Sequence, residues 1–520
     1  MIRAITTLIW RVIRITTGKA PSRRRFILVY WLVISGCLFG CNSQVNNTTI
    51  RFGIADTPRL LDPRFATDAI SERLNRLIYQ RLIEFDAASQ PVPGIATWAQ
   101  LTPTQYRFDL GQHAHQFSNG ERLTAHDVAA TYRSVLDPAT VSPQRAALAN
   151  IAAIAVLNDK QIIFHLHRPD RLFPALLGIG ILPAVQLATN HDFAHQPIGS
   201  GPLQFGAWPT AGRLILQRRS DGQVFEFITV KDPNVRVMKL LRGEVDLLQN
   251  DLPPELLAWL KRQPGVTVHT EHGANFSYLG MNLADPHLKS LEVRQALAYA
   301  VDRTALVQFL LHGHAQLAQA LLTPTHWAGA PELIGYQYDP ARARALLTTA
   351  GYDATHPLKL SYKTSSDPQR LRMATVIQAQ LAAVNVELTI QSYDWGTFFG
   401  DIKAGRFQLY GLTWVGVRTP DIFRYAFHSA AVPPAGANRG HYHNNTADAL
   451  IEKGQLELNE TAQAAHYRAL QKQLLTDLPV IPLWYEDQVA VMRHTVRGYQ
   501  VAVNGDYDGL LKVQRVVQIN

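Results

Sequence analysis

Cysteine is almost absent from this chain of 520 residues, and its two cysteines, Cys37 and Cys41, both stand near the start. A fold held together by disulfides is therefore excluded, and stability has to come from buried apolar surface, which a chain of this length can supply. Charged residues make up only 18% of the sequence, against 47% hydrophobic residues. This balance is typical of an ordinary globular protein and excludes a disordered or low-complexity chain.

Acidic residues are missing altogether before Asp56. Without the seven positive charges of residues 1–40, the formal net charge of +9 falls to +2. The basic character of the protein therefore belongs to its N-terminus and does not form the basic face that a nucleic-acid-binding protein needs. We expect no nucleic-acid partner.

Local catalytic motifs are lacking as well. The sequence contains no His-Glu-x-x-His motif, no phosphate-binding loop of the Gly-Lys type and no Gly-x-Ser-x-Gly motif. We expect a protein that is not an enzyme and needs no cofactor. The alternative is an exported hydrolase that acts on peptides or glycans through scattered carboxylates such as Asp421 and Glu486.

A long hydrophobic run is also lacking, because the apolar residues 26–36 are fewer than the ~20 that usually span a membrane. They follow the basic residues 23–25, and this order predicts a secretory signal peptide over residues 1–40. The residues before Cys41 resemble a bacterial lipobox, which predicts lipidation of Cys41 and a lipid-proximal tether over residues 41–49. Lipidation of Cys37 and export by the twin-arginine route remain alternatives.

Beyond the N-terminus, patterns typical of strands and helices alternate. Residues 50–54 read as a strand and residues 68–85 as a helix, because apolar residues recur there at three and four positions. Asp339, Pro340 and Gly351 stand where a helix has its N-cap, its first-turn proline and its C-terminal glycine. Strands are then predicted at 359–363, 386–390 and 407–415, with helices at 370–384 and 395–404. This alternation favours an α/β fold.

Several segments, in order along the chain, resemble the extracytoplasmic solute-binding proteins of peptide and nickel ABC importers. The most recognisable is Phe117-Ser-Asn-Gly-Glu-Arg-Leu-Thr-Ala-His-Asp-Val128, a tight turn followed by a helix start. The other segments are 61–63, 77–83, 93–98, 197–202, 243–246, 293–302 and 338–347. The resemblance extends from about residue 50 to residue 484.

This resemblance implies an α/β, two-lobed periplasmic-binding-protein-like fold of type II, with three domains and a ligand cleft between the lobes. Lobe I would comprise residues 50–270, with 79–197 as an inserted subdomain, and the chain would return to it over 482–520. Lobe II would comprise residues 271–481. Such a lobe pair closes around its ligand, because only the closed state makes every ligand contact.

The function implied is that of an extracytoplasmic lipoprotein of the periplasm or cell envelope. It would capture peptides or peptide-like solutes and deliver them to the transmembrane subunits of an ABC permease. We expect a monomer that is attached to a membrane through its lipid anchor.

The same resemblance implies a set of ligand-contacting residues. They are Trp414, Val417, Arg418, Asp421, Tyr393, Trp395, Asn438, Tyr442, Asn275 and Tyr278. Aromatic side chains suit a cleft that holds varied ligands, while a few polar groups fix the orientation of the ligand. Asn275 and Tyr278 are expected at the first crossing between the lobes.

Val417 stands where relatives that import peptides carry an aspartate that pairs with the α-ammonium group of the peptide. Arg418 follows it, and a guanidinium binds carboxylates through paired hydrogen bonds. A buried ammonium without a counter-ion is costly. We therefore expect recognition through an anionic or blocked end of the ligand, unless Asp421 replaces the missing charge.

Histidine pairs leave a second ligand class open. Residues two apart on a strand face the same side, so a His-x-His pair can supply two ligands to Zn²⁺ or Ni²⁺. No third ligand is identifiable from spacing, and no metal site is predicted. A nickel or metal-chelate receptor of the same fold is the alternative. The pairs are His113/His115, His165/His167, His312/His314 and His441/His443.

Overall fold

The computed structural model describes residues 48–111 and 116–516. The predicted signal peptide, both cysteines, most of the predicted tether and the pair His113/His115 lie outside these residues. Over the described ranges, no helix combines the length and the apolar character that crossing a bilayer requires.

Strands and helices follow one another along most of the described chain. The strands are β1 (Ile50–Ile54), β2 (Ile83–Phe85), β3 (Pro91–Pro93), β4 (Ala96–Thr102), β5 (Gln105–Leu110), β6 (Ile151–Asn158), β7 (Gln161–Leu166), β8 (Leu203–Thr210), β9 (Arg213–Arg218), β10 (Val224–Thr229), β11 (Leu247–Gln249), β12 (Val266–Met281), β13 (Ala315–Leu317), β14 (Leu358–Ser365), β15 (Val386–Tyr393), β16 (Leu409–Trp414), β17 (Val480–Arg493), β18 (Val496–Arg497) and β19 (Gln514–Arg515). The helices are α1 (Ala69–Ile78), α2 (Ala125–Leu136), α3 (Ala184–Ala188), α4 (Pro233–Arg242), α5 (Pro254–Leu260), α6 (Leu291–Ala300), α7 (Arg303–Ala305), α8 (Pro340–Thr349), α9 (Pro368–Ala382), α10 (Trp395–Lys403), α11 (Ile422–Phe427), α12 (Asn445–Leu456) and α13 (Glu460–Asp477).

One large sheet runs through the described part of the chain. Its strand order is β15-β14-β16-β12-β17-β11-β1-β10-β9-β8, with β13 added beside β17. The long strands β12 and β17 pair antiparallel from Val266↔Arg493 to Gly280↔Val480, with register shifts between Glu271 and Asn275 and again after Ser277. These two strands are shared by both halves of the sheet and connect them.

Buried side chains form separate cores on the two sides of these long strands. We call the part whose cores are built from residues 50–268 and 489–513 lobe I. Lobe II is the part whose cores are built from residues 276–485. Within lobe I, residues 82–181 have a core of their own, which packs around the four-stranded antiparallel sheet β4-β5-β7-β6. The domain boundaries inferred from the sequence stay a prediction.

Helix α8 begins and ends as the sequence indicates. The Asp339 side chain accepts a hydrogen bond from the backbone N–H of Arg342, and Pro340 occupies the first turn. Pro340 fits there because its missing N–H would have no partner inside the helix. Gly351 follows with φ +91, in the left-handed region that glycine adopts without steric cost.

The helix predicted over residues 68–85 is shorter in the structure and ends at Ile78. Tyr79 has an extended backbone, and its hydroxyl donates a 3.0 Å hydrogen bond to the carbonyl oxygen of Leu61. A Cβ at Gly199 would lie 2.0 Å from the carbonyl oxygen of Ile78, so this glycine permits the segment after β7 to pack against the helix end. Tertiary packing therefore terminates the helix where the apolar periodicity alone would continue it.

Candidate functional site

A cavity of about 550 Å³ lies between the lobes, and we call it the cleft cavity. Lobe I contributes one face of helix α1 and residues around Gly178, and lobe II contributes the loop that follows β16. Its lining includes Glu72, Asn75, Arg76, Arg81, Phe85 and Asp506 of lobe I and Val415, Gly416 and Arg418 of lobe II. A site built from both lobes can respond to a ligand by closing.

The loop after β16 reaches the cleft cavity because of Gly416. Its φ of +71 lies in the left-handed region, which favours glycine. The turn carries Val415 onto the cavity wall, 52% exposed, and directs Arg418 toward lobe I. The backbone therefore positions this segment of lobe II.

Arg418 forms an ion pair across the cleft cavity. Its Nη2 donates a 2.8 Å hydrogen bond to Asp506 Oδ2, and its guanidinium lies 5.2 Å from the ring centre of Phe85. Asp506 also lies 2.7 Å from Arg76 Nε. The sequence suggested that Arg418 would bind a ligand carboxylate; in the structure its charge is already compensated by Asp506.

Arg76 lies at the centre of the charge network on lobe I. Burial disfavours its charged form, but Asp506, Asp508 and Glu84 outweigh that cost and raise its pKa. The distance from Arg76 Nη2 is 3.1 Å to Glu84 Oε2 and 3.4 Å to Asp508 Oδ2. Burial lowers the pKa of Arg81, whose Nε donates a 3.1 Å hydrogen bond to Glu84 Oε1.

Glu72 differs from these carboxylates because no described residue forms an ion pair or a side-chain hydrogen bond with it. It lies in the first turn of α1, where its side chain lines the cleft cavity and is exposed to it. Burial by the cavity walls is the largest influence and raises its pKa to about 7, although Arg418 and Arg81 act in the opposite direction.

Asn75 lies one helical turn after Glu72 and also lines the cleft cavity. Only 4% of the residue is exposed, and neither its Nδ2 nor its Oδ1 has a hydrogen-bond partner within the described ranges. Buried amide groups in folded proteins nearly always have partners. Sequence analysis missed both Glu72 and Asn75.

Three of the predicted aromatic contacts lie at the carboxyl ends of lobe II strands. Tyr393 ends β15 and is 36% exposed, Trp395 begins α10 and is 59% exposed, and Trp414 ends β16 and is half-buried. Tyr425, 50% exposed, packs edge-on against Trp414 at 6.2 Å. Strands β14, β15 and β16 run parallel, so their carboxyl ends share one edge of the sheet, which is where ligands bind in open α/β sheets.

Arg439 is a buried cation on the same side of lobe II. Its guanidinium lies 5.1 Å from the ring centre of Trp414 and 5.4 Å from that of Phe399. Its Nη1 donates a 3.2 Å hydrogen bond to the hydroxyl of Tyr278. Within the described residues it pairs with no carboxylate, and sequence reasoning did not identify it.

Asn275 and Tyr278 lie on β12, one of the two strands that connect the lobes. Asn275 pairs in register with Glu486 of β17, and Tyr278 is buried with its ring stacked 6.5 Å from Trp414. Between them, Ser277 Oγ donates a 2.7 Å hydrogen bond to Glu486 Oε1. The Glu486 carboxylate also accepts a 3.2 Å bond from Arg370 Nη2 and is therefore occupied by neighbouring side chains.

Asn438 and Tyr442 lie inside lobe II, 2% and 4% exposed. Asn438 Nδ2 donates to the carbonyl oxygens of His428 and Tyr442 at 3.2 and 2.7 Å, and its Oδ1 accepts from the backbone N–H of Tyr442 at 2.9 Å. The Tyr442 hydroxyl donates to Asp477. These side chains hold the lobe II backbone in place. The ligand contact predicted from the sequence stays a prediction for Tyr442, whereas for Asn438 we expect the structural role alone.

Val417 and Asp421 lie beyond the Gly416 turn. Val417 is half-buried against the core of lobe II. Burial raises the pKa of Asp421 to about 6, and the negative charge of Asp170 in lobe I adds to this rise. Asp421 is bonded to Gln455 at 3.5 Å, and no hydrogen bond joins it to Arg418.

No cluster of three or more His, Cys, Asp or Glu side chains suitable for a metal ion occurs in the described ranges. Of the histidine pairs, His314 lies 3.4 Å from Lys261 Nζ, and His443 Nδ1 lies 2.6 Å from Ser429 Oγ.

Comparison of the sequence with known families gives one match that spans most of the chain. Residues 90–432 match the family described as "Bacterial extracellular solute-binding proteins, family 5 Middle". Among curated proteins, the chain is 26% identical to the probable di/tripeptide-binding protein 5 of Pseudomonas aeruginosa (strain UCBPP-PA14), over 83% of this chain and 89% of that protein.

Two solved structures share the architecture. The periplasmic binding protein DppA of Helicobacter pylori, in complex with peptide STSA, matches with a TM-score of 0.75 and 24% identity, over 90% of this chain and 98% of that chain. NikZ of Campylobacter jejuni, in complex with Ni(L-His), matches with a TM-score of 0.77 and 23% identity, over 90% and 100%. Both matches concern the fold, and they confirm the predicted α/β architecture of type II with two lobes and a cleft between them.

Proposed function

Since the chain belongs to the bacterial extracellular solute-binding proteins of family 5, we propose that it captures short peptides or peptide-like solutes and passes them to the transmembrane subunits of an ABC importer. Its ligand is released unchanged, and the protein is a receptor with no catalytic step. The similarity to a probable di/tripeptide-binding protein supports this ligand class.

The observation that carries the proposal is the charge arrangement of the cleft cavity. Its walls bring acidic and basic side chains of lobe I and the guanidinium of Arg418 of lobe II within reach of one volume of about 550 Å³. Peptides are zwitterions with polar backbones, and a cavity with separate positive and negative groups can bind both ends of such a ligand. A cavity of this volume suits a small ligand.

Lobe closure is supported by contacts between the inserted part of lobe I and lobe II. Arg171 Nε donates a 2.9 Å hydrogen bond to Gln463 Oε1, and its Nη2 lies 3.4 Å from Glu460 Oε2. The backbone N–H of Trp327 donates to the carbonyl oxygen of Ala88 at 3.3 Å. These contacts form only when the lobes approach, so they contribute to the closed state together with the ligand.

Arg439 supports recognition of a ligand carboxylate on lobe II. A guanidinium held between two aromatic rings keeps its orientation. Its free N–H groups can bind a ligand carboxylate that lies in the plane of the guanidinium. In this proposal the aromatic residues Trp414, Trp395 and Tyr393 contact the body of the ligand. The proposed roles of Val417, Asp421, Asn275 and Tyr278 are to shape the loop and the lobe crossing.

The remaining parts of the proposal concern the location and assembly of the protein. Export by a signal peptide over residues 1–40, lipidation of Cys41 and attachment to the membrane of the cell envelope agree with a receptor that works outside the cytoplasm. The protein acts as a monomer without a cofactor. Lobe I over 50–270 and 482–520, with 79–197 inserted, and lobe II over 271–481 are the moving parts.

Isothermal titration calorimetry with a panel of unmodified dipeptides, tripeptides and tetrapeptides tests this function. We expect binding with one ligand per chain, and mass spectrometry should recover the peptide intact after prolonged incubation. A panel that produces no binding heat would overturn the peptide assignment. Cleaved peptides in the recovered sample would instead support the hydrolase alternative.

A further inference from the structure

Glu72 carries the carboxylate of the cleft cavity that the described side chains leave uncompensated. Asp506 is paired with Arg76 and Arg418, and Glu84 is paired with Arg76 and Arg81. Glu72 has no such pair, although it opens into the same volume. A carboxylate in a partly desolvated cleft without a directly paired cation costs free energy unless a ligand supplies the opposite charge.

Asn75 provides a second, independent observation at the same place. It follows Glu72 by three residues on α1, so the two side chains lie on one face of the helix. Its amide is buried without a partner for its donor or its acceptor. A ligand that offers both a donor and an acceptor to this face would satisfy the amide and the carboxylate together.

We propose that Glu72 and Asn75 form a subsite of lobe I that binds the primary ammonium group of the ligand, with the first amide of a peptide beside it. The ammonium donates hydrogen bonds to the Glu72 carboxylate and to Asn75 Oδ1. Asn75 Nδ2 donates to the first carbonyl oxygen of the peptide. This inference rests on the proposed function and assigns the free N-terminus of the peptide to lobe I.

The inference reverses the expectation from the sequence that a free ammonium is disfavoured. That expectation followed from Val417, which occupies the position of a missing carboxylate on lobe II. The structure supplies a carboxylate from the opposite lobe instead. Arg418, the predicted partner of an anionic end, is already held by Asp506.

The charged groups around Glu72 determine how its subsite responds to pH. Arg418 and Arg81 attract its charge, while Asp68 and Asp506 repel it; burial outweighs all four, and its pKa is about 7. Binding of an ammonium favours the ionised carboxylate, so affinity should rise with pH as Glu72 loses its proton. Between pH 5.5 and 7.0 we expect a rise of about tenfold, and the α-amino group of a peptide stays mostly protonated over this range.

Calorimetry with dialanine, trialanine and tetra-alanine, each with a free or an acetylated N-terminus, tests the subsite. We expect acetylation to weaken binding to the wild-type protein by tenfold or more at pH 7.0. Glu72→Gln should weaken binding of the free peptide to the level of the acetylated one and remove the pH dependence. Asn75→Leu, which keeps the volume but removes the amide, should weaken binding while leaving the thermal midpoint unchanged or raised.

Glu121→Gln is the matched control, because Glu121 is an exposed carboxylate of lobe I that is bonded to Gln186 outside the cleft cavity. It should bind like the wild type. Equal affinity for free and acetylated peptides, with Glu72→Gln neutral, would overturn the subsite and leave the peptide function intact. If neither the free nor the acetylated form of any peptide binds the wild type, both the proposed peptide function and the subsite are overturned.

Discussion

Arg418 of lobe II and Asp506 of lobe I are joined across the cleft by a hydrogen bond of 2.8 Å between Nη2 and Oδ2. Only 6% of the Asp506 side chain and 22% of the Arg418 side chain are exposed. A charge-assisted bond in such surroundings is worth about 1.5–3 kcal/mol. The two residues belong to different lobes, so the bond reports directly on lobe closure.

Replacing Arg418 with Ala should shift the protein toward its open state. Asp506 keeps Arg76 as a partner, so the loss falls on the bond between lobes and not on the stability of lobe I. Small-angle scattering of the ligand-free variant should show a larger radius of gyration than that of the wild type. Arg406→Ala is the control, since Arg406 pairs with Asp401 inside lobe II. Identical scattering profiles for Arg418→Ala and the wild type would show that the bond between Arg418 and Asp506 does not hold the lobes together.

Glu72→Gln should stabilise the ligand-free protein at pH 8. The walls of the cleft raise the pKa of Glu72 from 4.5 to about 7, so the folded protein holds this proton more tightly than the unfolded chain. The stability of the wild type therefore falls as pH rises from 4.5 to 7, and the full penalty is present above pH 7. Thermal midpoints should differ at pH 8 and converge below pH 4.5. A variant less stable than the wild type at pH 8 would contradict this assignment.

Arg439→Met should reduce the preference for a free C-terminal carboxylate. Loss of a charge-assisted bond corresponds to about 1.5–3 kcal/mol, or roughly tenfold or more in affinity. Calorimetry would compare the affinities of trialanine and its C-terminal amide for the variant and for the wild type. Arg344→Met is the control, because the guanidinium of Arg344 lies on the exposed face of α8 and donates to the carbonyl oxygen of Ala383. An unchanged ratio of the two affinities in Arg439→Met would remove Arg439 from the site.

Asn438→Ala should destabilise the protein without removing a ligand contact. The substitution leaves two buried carbonyl oxygens and one backbone N–H without their partner, at a cost of about 1–3 kcal/mol for each group left unpaired. Urea unfolding should show a lower midpoint, and the folded fraction should bind trialanine with wild-type affinity. Normal stability with lost affinity would instead restore Asn438 as a ligand contact.

Local sequence signals predicted those parts of the fold that depend on neighbouring residues. Asp339 and Pro340 begin α8 because capping and proline geometry act within one turn. The apolar periodicity after Asp68 also predicted α1 correctly at its start. It failed at the end, because burial of Tyr79 against Leu61 is a tertiary contact that periodicity does not contain.

The site was less predictable because its chemistry arises from pairing between distant segments. Trp414 and Arg418 could be placed near the cleft from the resemblance, but the partner of Arg418 could not. Glu72 looked like an ordinary first-turn acid of a helix, which is a common and favourable position. Its surroundings are the walls of the cleft cavity, which include a loop of lobe II more than 300 residues later in the sequence.

Native mass spectrometry of the mature protein shows whether it holds a peptide or peptide-like solute between its lobes. The protein would be purified from the envelope of its own cells without denaturant, sprayed intact and then activated to release what it holds. We expect one additional mass per chain, released as an intact short peptide or peptide-like compound with a free amino group. A released metal chelate or another compound without amide bonds, or a chain that stays unliganded after incubation with the peptide panel, would contradict this expectation.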